Sequence, residues 1–290
     1  MNRKVKAMSD TTITRSSSLH RAELSDDELR VSASSVFATQ AMPGVSSRYA
    51  FVPTAQIVSR LRESGWAPVS AQQQRIKLEE RRGFQKHLIR FQRRDAVAVK
   101  DEYTAELCLL NSHDRSSAYQ LHAGLYRFTC ANGLMMSDSA LERISIRHAG
   151  FTPEEVIEAS FRILDNIPAI TARVEAFRSR QLTYAESRAF ASAALRLRYD
   201  NVQTAPIGPH KLLETRRSED TGDDLWHAFN RVQENLLRGG LKDESRRRQD
   251  GRRFARTRAI TGLDRNVNLN KALWNLAQRV ADGEELTITE

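Results

Sequence analysis

The residues best equipped for chemistry gather in one stretch, Asn111 to Asp138, which reads NSHDRSSAYQLHAGLYRFTCANGLMMSD. His113, Asp114, Ser116, Ser117 and His122 supply the residue types of a hydrolytic centre: a hydroxyl nucleophile, an imidazole base and a carboxylate to orient it. Those groups must converge in space, so crowding along the chain is a weak sign of it; triad members usually come from separate loops. Pairing of Cys130 with His122 or with His148 is the other nucleophilic arrangement, although a cysteine inside an apolar stripe is more often an inert core residue. The chain has no GxSxG elbow, P-loop or HExxH, and the glycines of GLYRFTCANG fall at the wrong spacing for a dinucleotide fingerprint. The balance favours a binding protein, with His113, Asp114 and His122 kept as the catalytic candidates of a hydrolase or nuclease reading. In the binding reading, His122 is a core-edge residue and Asp114 shapes its loop through an Asx turn.

Charge gives the second set of candidates. Net charge is +9 and the basic excess is mostly arginine, whose planar fork suits phosphate. Eight cations lie between Arg75 and Arg94 (Arg75, Lys77, Arg81, Arg82, Lys86, Arg90, Arg93, Arg94) against Glu79 and Glu80, with Phe84 and Phe91 interleaved. Cations that track a backbone beside rings that stack bases are what a single-stranded nucleic-acid groove needs. The alternative is a solvated hairpin whose phenylalanines point inward. A second run, from Lys242 to Arg258, carries Arg246, Arg247, Arg248, Arg252 and Arg253 among eight cations, against Asp243, Glu244 and Asp250. Arg127 completes the expected phosphate contacts. A soluble helical protein with arginine-rich solvated faces is the bland reading of the same composition.

The elements that would position these residues suggest an α+β fold. Thr54 caps a helix over 55–64, closed by Gly65, with Trp66 behind it as a core plug. Alternating stretches from Val69 to Glu79 and from Phe84 to Gln92 predict two strands around a turn at Glu80–Gly83, and Tyr103–Leu110 predicts a third. Ala118, Leu121, Leu125 and Phe128 fall at helical spacing, so 118–130 is expected to be a helix ended by Asn132-Gly133; strand alternation also fits. This helix is expected to pack against the basic hairpin, giving an antiparallel β-β-β-α-like core. A short strand is expected at Ile144–Arg147. Ser25 with Glu28 predicts a capping box, Thr152-Pro153 a helix start, and Thr183 the cap of another helix. Amphipathic helices are expected over 224–238 and 266–280. The implied organisation is a flexible arm over 1–40, an α+β core over 41–150, a helical extension over 151–200, a linker over 201–223 and a helical C-terminal annex over 224–290. Met1 and Met8 both stand as start residues.

Two cysteines, Cys108 and Cys130, without a CxxC or zinc spacing point to a reducing compartment and to neither metal nor cofactor. With no apolar run of membrane-spanning length and no apolar region behind Met1-Asn2-Arg3-Lys4, a cytoplasmic protein is expected.

Four blocks, HAGLYRFTCANGL, RHAGFTPEEVIE, DLWHAFNRVQENLLRGG and ITGLDRNVNLNKALWNLA, resemble the phage- and plasmid-type family known as domain of unknown function 932, over roughly 40–285. The resemblance implies a mobile-element setting and leaves mechanism open. The order of helix, Gly65-Trp66, basic hairpin, third strand and a GLYR…NGL segment is also similar, over about 90 residues, to single-strand annealing proteins of recombination. Their glycine-rich entry is replaced here by His113-Asp114-Arg115-Ser116-Ser117. That second likeness implies single-stranded DNA as partner, for annealing, recombination or transfer, and a homo-oligomer. The competing expectation is a protein-interaction factor that acts against host defence or regulates its element, with a host or element-encoded protein partner docked on the apolar C-terminal helices.

Overall fold

The computed structural model describes residues 21–45, 49, 51–76, 78–96, 103–127, 134–135, 144–146 and 153–286, with the side chains of 134–135, 144–146 and 153 left aside. It is an α+β fold in which an antiparallel sheet is enclosed by helices. The long strands are β1 (Trp66–Gln73), β2 (His87–Arg93), β3 (Tyr103–Asn111) and β4 (Tyr119–Arg127), paired in chain order. Two short strands, β5 (Leu134–Met135) and β6 (Ile144–Ile146), both pair with β4. Helices α1 (Asp26–Ser32) and α2 (Thr54–Glu63) precede the sheet; α3 (Pro153–Asp165), α4 (Ile167–Ser179), α5 (Tyr184–Arg196), α6 (Leu225–Arg238) and α7 (Leu263–Ala281) follow it. Among the described residues, no helix is long and apolar enough to cross a membrane.

Strand alternation divides the sheet into two faces. Ile89, Phe91, Leu107, Leu109, Leu121 and Leu125 join the main core with Ile57 and Leu61 of α2 and the helices beyond. On the opposite face Leu88, Cys108 and Leu110 form a smaller cluster with Leu263 and Val267 of α7. A chain of rings then ties sheet to helices. Tyr103 lies 6.1 Å from Trp226, Trp226 stacks on Phe229 at 5.9 Å, and Trp274 sits between Phe229 (5.9 Å) and Phe177 (4.9 Å). The apolar faces of α6 and α7 are therefore spent inside the molecule: Phe229, Val232, Leu273 and Trp274 are all fully buried.

Side-chain caps account for the starts of α1, α5 and α6. The Ser25–Glu28 and Thr183–Glu186 capping boxes form as expected. Asp224 accepts from the His227 N–H at the start of α6. One expectation is overturned: 118–130 is not a helix, since Tyr119–Arg127 is strand β4. Leu121 and Leu125 are four apart, a spacing that fits either period, and Gly124 between them disfavours a helix. Alternation decides the matter, with Tyr119, Leu121, Ala123 and Leu125 facing the main core. Phe128, Cys130 and Asn132-Gly133 lie outside the described residues, as do Lys77, Arg147, His148 and Thr152. The first two strands are also set further apart than expected, joined through a 3-10 turn at Glu79–Arg81, and Gly83 takes the positive φ its place in the turn requires. Thr54 opens α2 without capping it; Pro53 holds the cap position and the threonine side chain points inward.

At the other end of α2, Gly65 has φ +88° and a β-carbon there would lie 2.9 Å from Arg93 Nη1. Arg93 donates from that same nitrogen to the Ser64 carbonyl (2.6 Å), closing the helix. Gly65→Ala should therefore cost about 1–2 kcal/mol, read as a lower urea midpoint with an unchanged slope.

Candidate nucleic-acid interface

The structure ties most of the basic hairpin into the fold. Arg90 is buried and donates to Glu106 at 2.5 Å, with Gln92 Nε2 on the same carboxylate at 3.2 Å. Lys86 pairs with Asp264 of α7 (2.7 Å). Arg93 donates two parallel hydrogen bonds to Asp95 at 2.8 and 2.7 Å, and Arg94 donates to Glu23 at 3.0 Å and to the Arg62 carbonyl at 2.7 Å. Arg81 lies 3.6 Å from Asp114, Arg82 pairs with Glu79, and Arg75 is exposed. Phe91 is fully buried and Phe84 half-buried, so the inward reading of these rings is the one the geometry gives for Phe91. Arg127, 6% exposed, is held by Asp220 and the Glu219 carbonyl with its guanidinium 5.9 Å from the Trp226 ring centre. A side chain so enclosed is a brace between β4 and the segment leading to α6.

The histidines separate as well. Thr54 Oγ1 is the centre of a fully buried polar cluster, 3.0 Å from His87 Nε2, 3.1 Å from His113 Nε2, 3.0 Å from Asn111 Nδ2 and 3.1 Å from the Tyr119 hydroxyl. Asn111 and Tyr119 donate to it, leaving its own proton for an imidazole. Ser35 donates to Gln73 (3.1 Å), so its oxygen is open to a proton from His87 Nδ1 at 2.9 Å. His87 is then the Nδ1–H tautomer and accepts from Thr54 at Nε2. Burial pushes its pKa down to about 4, against the upward pull of the Gln85 carbonyl and Asp114. His122 lies on the opposite face of the sheet from this cluster, 3.2 Å from Gln120 Oε1 and 3.5 Å from Lys271 Nζ. Cys108 is its cross-strand neighbour, and burial raises that thiol to about 12, an unreactive state. Asp114 makes the expected Asx turn, accepting from the Ser116 N–H at 3.0 Å beside Arg115 at φ 67°. Burial raises its pKa, but bonds from Ser116 and Ser112 and the charge of Arg81 outweigh that and hold it low. His113, Asp114 and His122 thus do not converge on one site.

The second basic run behaves differently. Arg246 is bound to the carbonyls of Val202 (2.6 Å), Gln203 (3.0 Å) and Ala205 (3.2 Å), which anchors a turn bridged by Arg247 and Arg253. Beyond that anchor Arg247, Arg248, Arg252 and Arg253 are exposed around half-buried Phe254. The chain then runs as a strap, 255–262, fastened to the end of α6 by Gly240 N–H to Thr257 O (2.7 Å), Thr257 N–H to Leu241 O (2.9 Å) and Ile260 N–H to Leu237 O (2.8 Å). Arg198 donates to the carbonyls of Leu236 and Arg258 and locks the strap from the other side. Gly239 is required beneath it, because a β-carbon would lie 2.5 Å from the Arg258 carbonyl.

Between the strap, the end of α5 and the first turns of α7 is a groove of about 980 Å³. Arg198, Arg256, Arg258 and Arg265 line it with Tyr199 and Asn268 and, among the described residues, no acidic side chain does. Arg258 and Arg265 are exposed and, among the described residues, pair with no carboxylate. The N-terminus of α7 meets the groove at Gly262 with no side-chain cap, adding positive potential. Arg198, Tyr199 and Arg265 lie outside both basic runs, and Arg265 stands just before the helix expected over 266–280, inside the observed one.

Comparison with known proteins gives a family. The sequence model described as "Domain of unknown function (DUF932)" matches residues 41–274. Two relatives from Escherichia coli (strain K12), UPF0380 protein YafZ and UPF0380 protein YfjQ, are 35% and 34% identical over 255 residues, covering 88% of this chain and 90% of each relative. No solved structure gives a significant match.

Two measurements test these assignments. Arg127→Ala leaves Asp220 buried without its cation and should cost about 3–5 kcal/mol, whereas Arg258→Ala should stay within about 0.5 kcal/mol in the same urea titration. For His87, the folded pKa lies below the unfolded one, so the unfolded chain binds the proton first on acidification. Stability is complete above pH 6.5 and falls as pH drops toward about 4, by on the order of 3 kcal/mol in all. His87→Gln should flatten that window in urea titrations between about pH 7 and 4.5.

Proposed function

This chain belongs to the family described as Domain of unknown function (DUF932), and from that premise we propose that it binds single-stranded nucleic acid, with its phosphates on the arginine face from 247 to 265. One observation carries the reading: the groove and the adjoining turn expose Arg247, Arg248, Arg252, Arg256, Arg258 and Arg265, while among the described residues no carboxylate lines the groove itself. Arg90, Arg127 and Arg246, by contrast, spend their donors on carboxylates or backbone carbonyls inside the fold. Within the exposed set Arg247 and Arg256 each give one nitrogen to backbone carbonyls and Arg252 lies 4.0 Å from Asp250, so Arg248, Arg258 and Arg265 keep the most donors for phosphate. Binding there displaces counterions from the strand, which makes affinity a function of salt. In this reading the activity serves annealing, recombination or strand transfer by a mobile element in the cytoplasm.

The test is anisotropy of a labelled oligonucleotide across salt. With three to five phosphates engaged, log K against log salt should have a slope of about −2 to −4. Arg258→Glu with Arg265→Glu should weaken binding more than about tenfold and flatten the slope. Arg81→Ala with Arg82→Ala on the hairpin should leave it within about twofold. No binding at about 50 mM salt, or binding indifferent to salt, overturns the proposal.

A further inference from the structure

The groove is larger and less uniformly charged than phosphate contact requires. Ile260, Leu269, Ala272 and Leu197 give it an apolar floor, against which a charged backbone gains nothing. Tyr199 lies at one wall, half-buried, with the Arg198 guanidinium 5.3 Å from its ring centre on the ring face. Asn268, exposed on α7, offers an amide that donates and accepts side by side. An apolar floor, an aromatic wall, one amide and a cationic rim match a planar heterocycle joined to phosphate. The volume, about 980 Å³, lies within the range of small-molecule sites.

We propose that the groove takes a nucleoside phosphate, with the base on the apolar floor beside Tyr199, its edge read by Asn268, and its phosphates held by Arg258 and Arg265. This rests on the nucleic-acid reading above and adds to it a site for the base, where that reading needs only phosphates. The strap makes such a site workable. Irregular chain seldom holds a fixed shape, but 255–262 is bonded to α6 at Leu237, Gly240 and Leu241 and pinned by Arg198, so the wall facing the base is rigid. Arg198 is a positioning residue here, since its donors go to two carbonyls. The source of the nucleoside phosphate is an unstacked nucleotide of a strand or a free nucleotide.

Anisotropy with three probes decides the matter: a labelled oligothymidine, an abasic strand of equal length and charge, and a fluorescent mononucleotide. The oligothymidine should bind about fivefold or more tighter than the abasic strand. Asn268→Ala, on an exposed side chain, should shrink that preference while leaving the salt slope and the melting temperature unchanged; Tyr199→Ala, which also loses contact with the core, should lower the melting temperature and shrink the preference with the salt slope unchanged, where a purely structural role would leave the preference intact. Mononucleotide affinity equal to that of the strand assigns the site to a free nucleotide, and binding only within a strand assigns it to nucleic acid; both uphold the base site. Equal binding of the two strands, or a preference that survives both variants, overturns it while leaving the phosphate interface standing. Failure of all three probes overturns both.

Discussion

A guanidinium has five N–H donors and no acceptor, and most of this architecture follows from how those donors are met. Arg62, Arg93 and Arg94 reach backbone carbonyls or carboxylates around the end of α2 and the segment before α1. Arg127 and Arg231 fix the approach to α6 by bonds to Asp220 and nearby carbonyls, and Arg246 gathers three carbonyls of the segment after α5. Irregular segments that a smaller core would leave loose are thereby attached to the helices and the sheet. The same requirement sorts the arginines into those consumed by the fold and those left to solvent, and the clustering of exposed ones over 247–265 marks the candidate interface.

The Thr54 cluster plays the corresponding part inside the core. One hydroxyl touches two imidazoles, an amide and a phenol, drawn from α2, β2, β3, β4 and the loop after β3. Buried polar groups are costly unless bonded, so this junction tolerates little slippage of α2 along the sheet. The residues that looked most catalytic in the sequence are largely the ones that hold this junction or shape the loop beside it.

What could be read from the sequence depended on how far its physical cause extended. Caps and helix-ending glycines act within a few residues, so the starts of α1, α5 and α6 and the end of α2 were legible. The strand β4 was not, because Leu121 and Leu125 satisfy both periods and the choice belongs to the pairing with β3. The fate of Arg127 turns on Asp220, 93 positions away, which no local pattern announces. The groove joins the end of α5 to a strap and a helix more than fifty positions later; only its arginines within 242–258 stood out in the sequence.

The chain of rings from Tyr103 to Phe177 has an optical consequence. The three tryptophans, Trp66, Trp226 and Trp274, are at most 2% exposed, and two of them belong to that chain. Intrinsic emission is therefore governed by the contact between sheet and helices, far more than by solvent at the surface. The groove contains no tryptophan. Excited beyond the tyrosine band, native fluorescence is thus a reporter of tertiary closure, and Tyr199 is the intrinsic fluorophore at the groove itself.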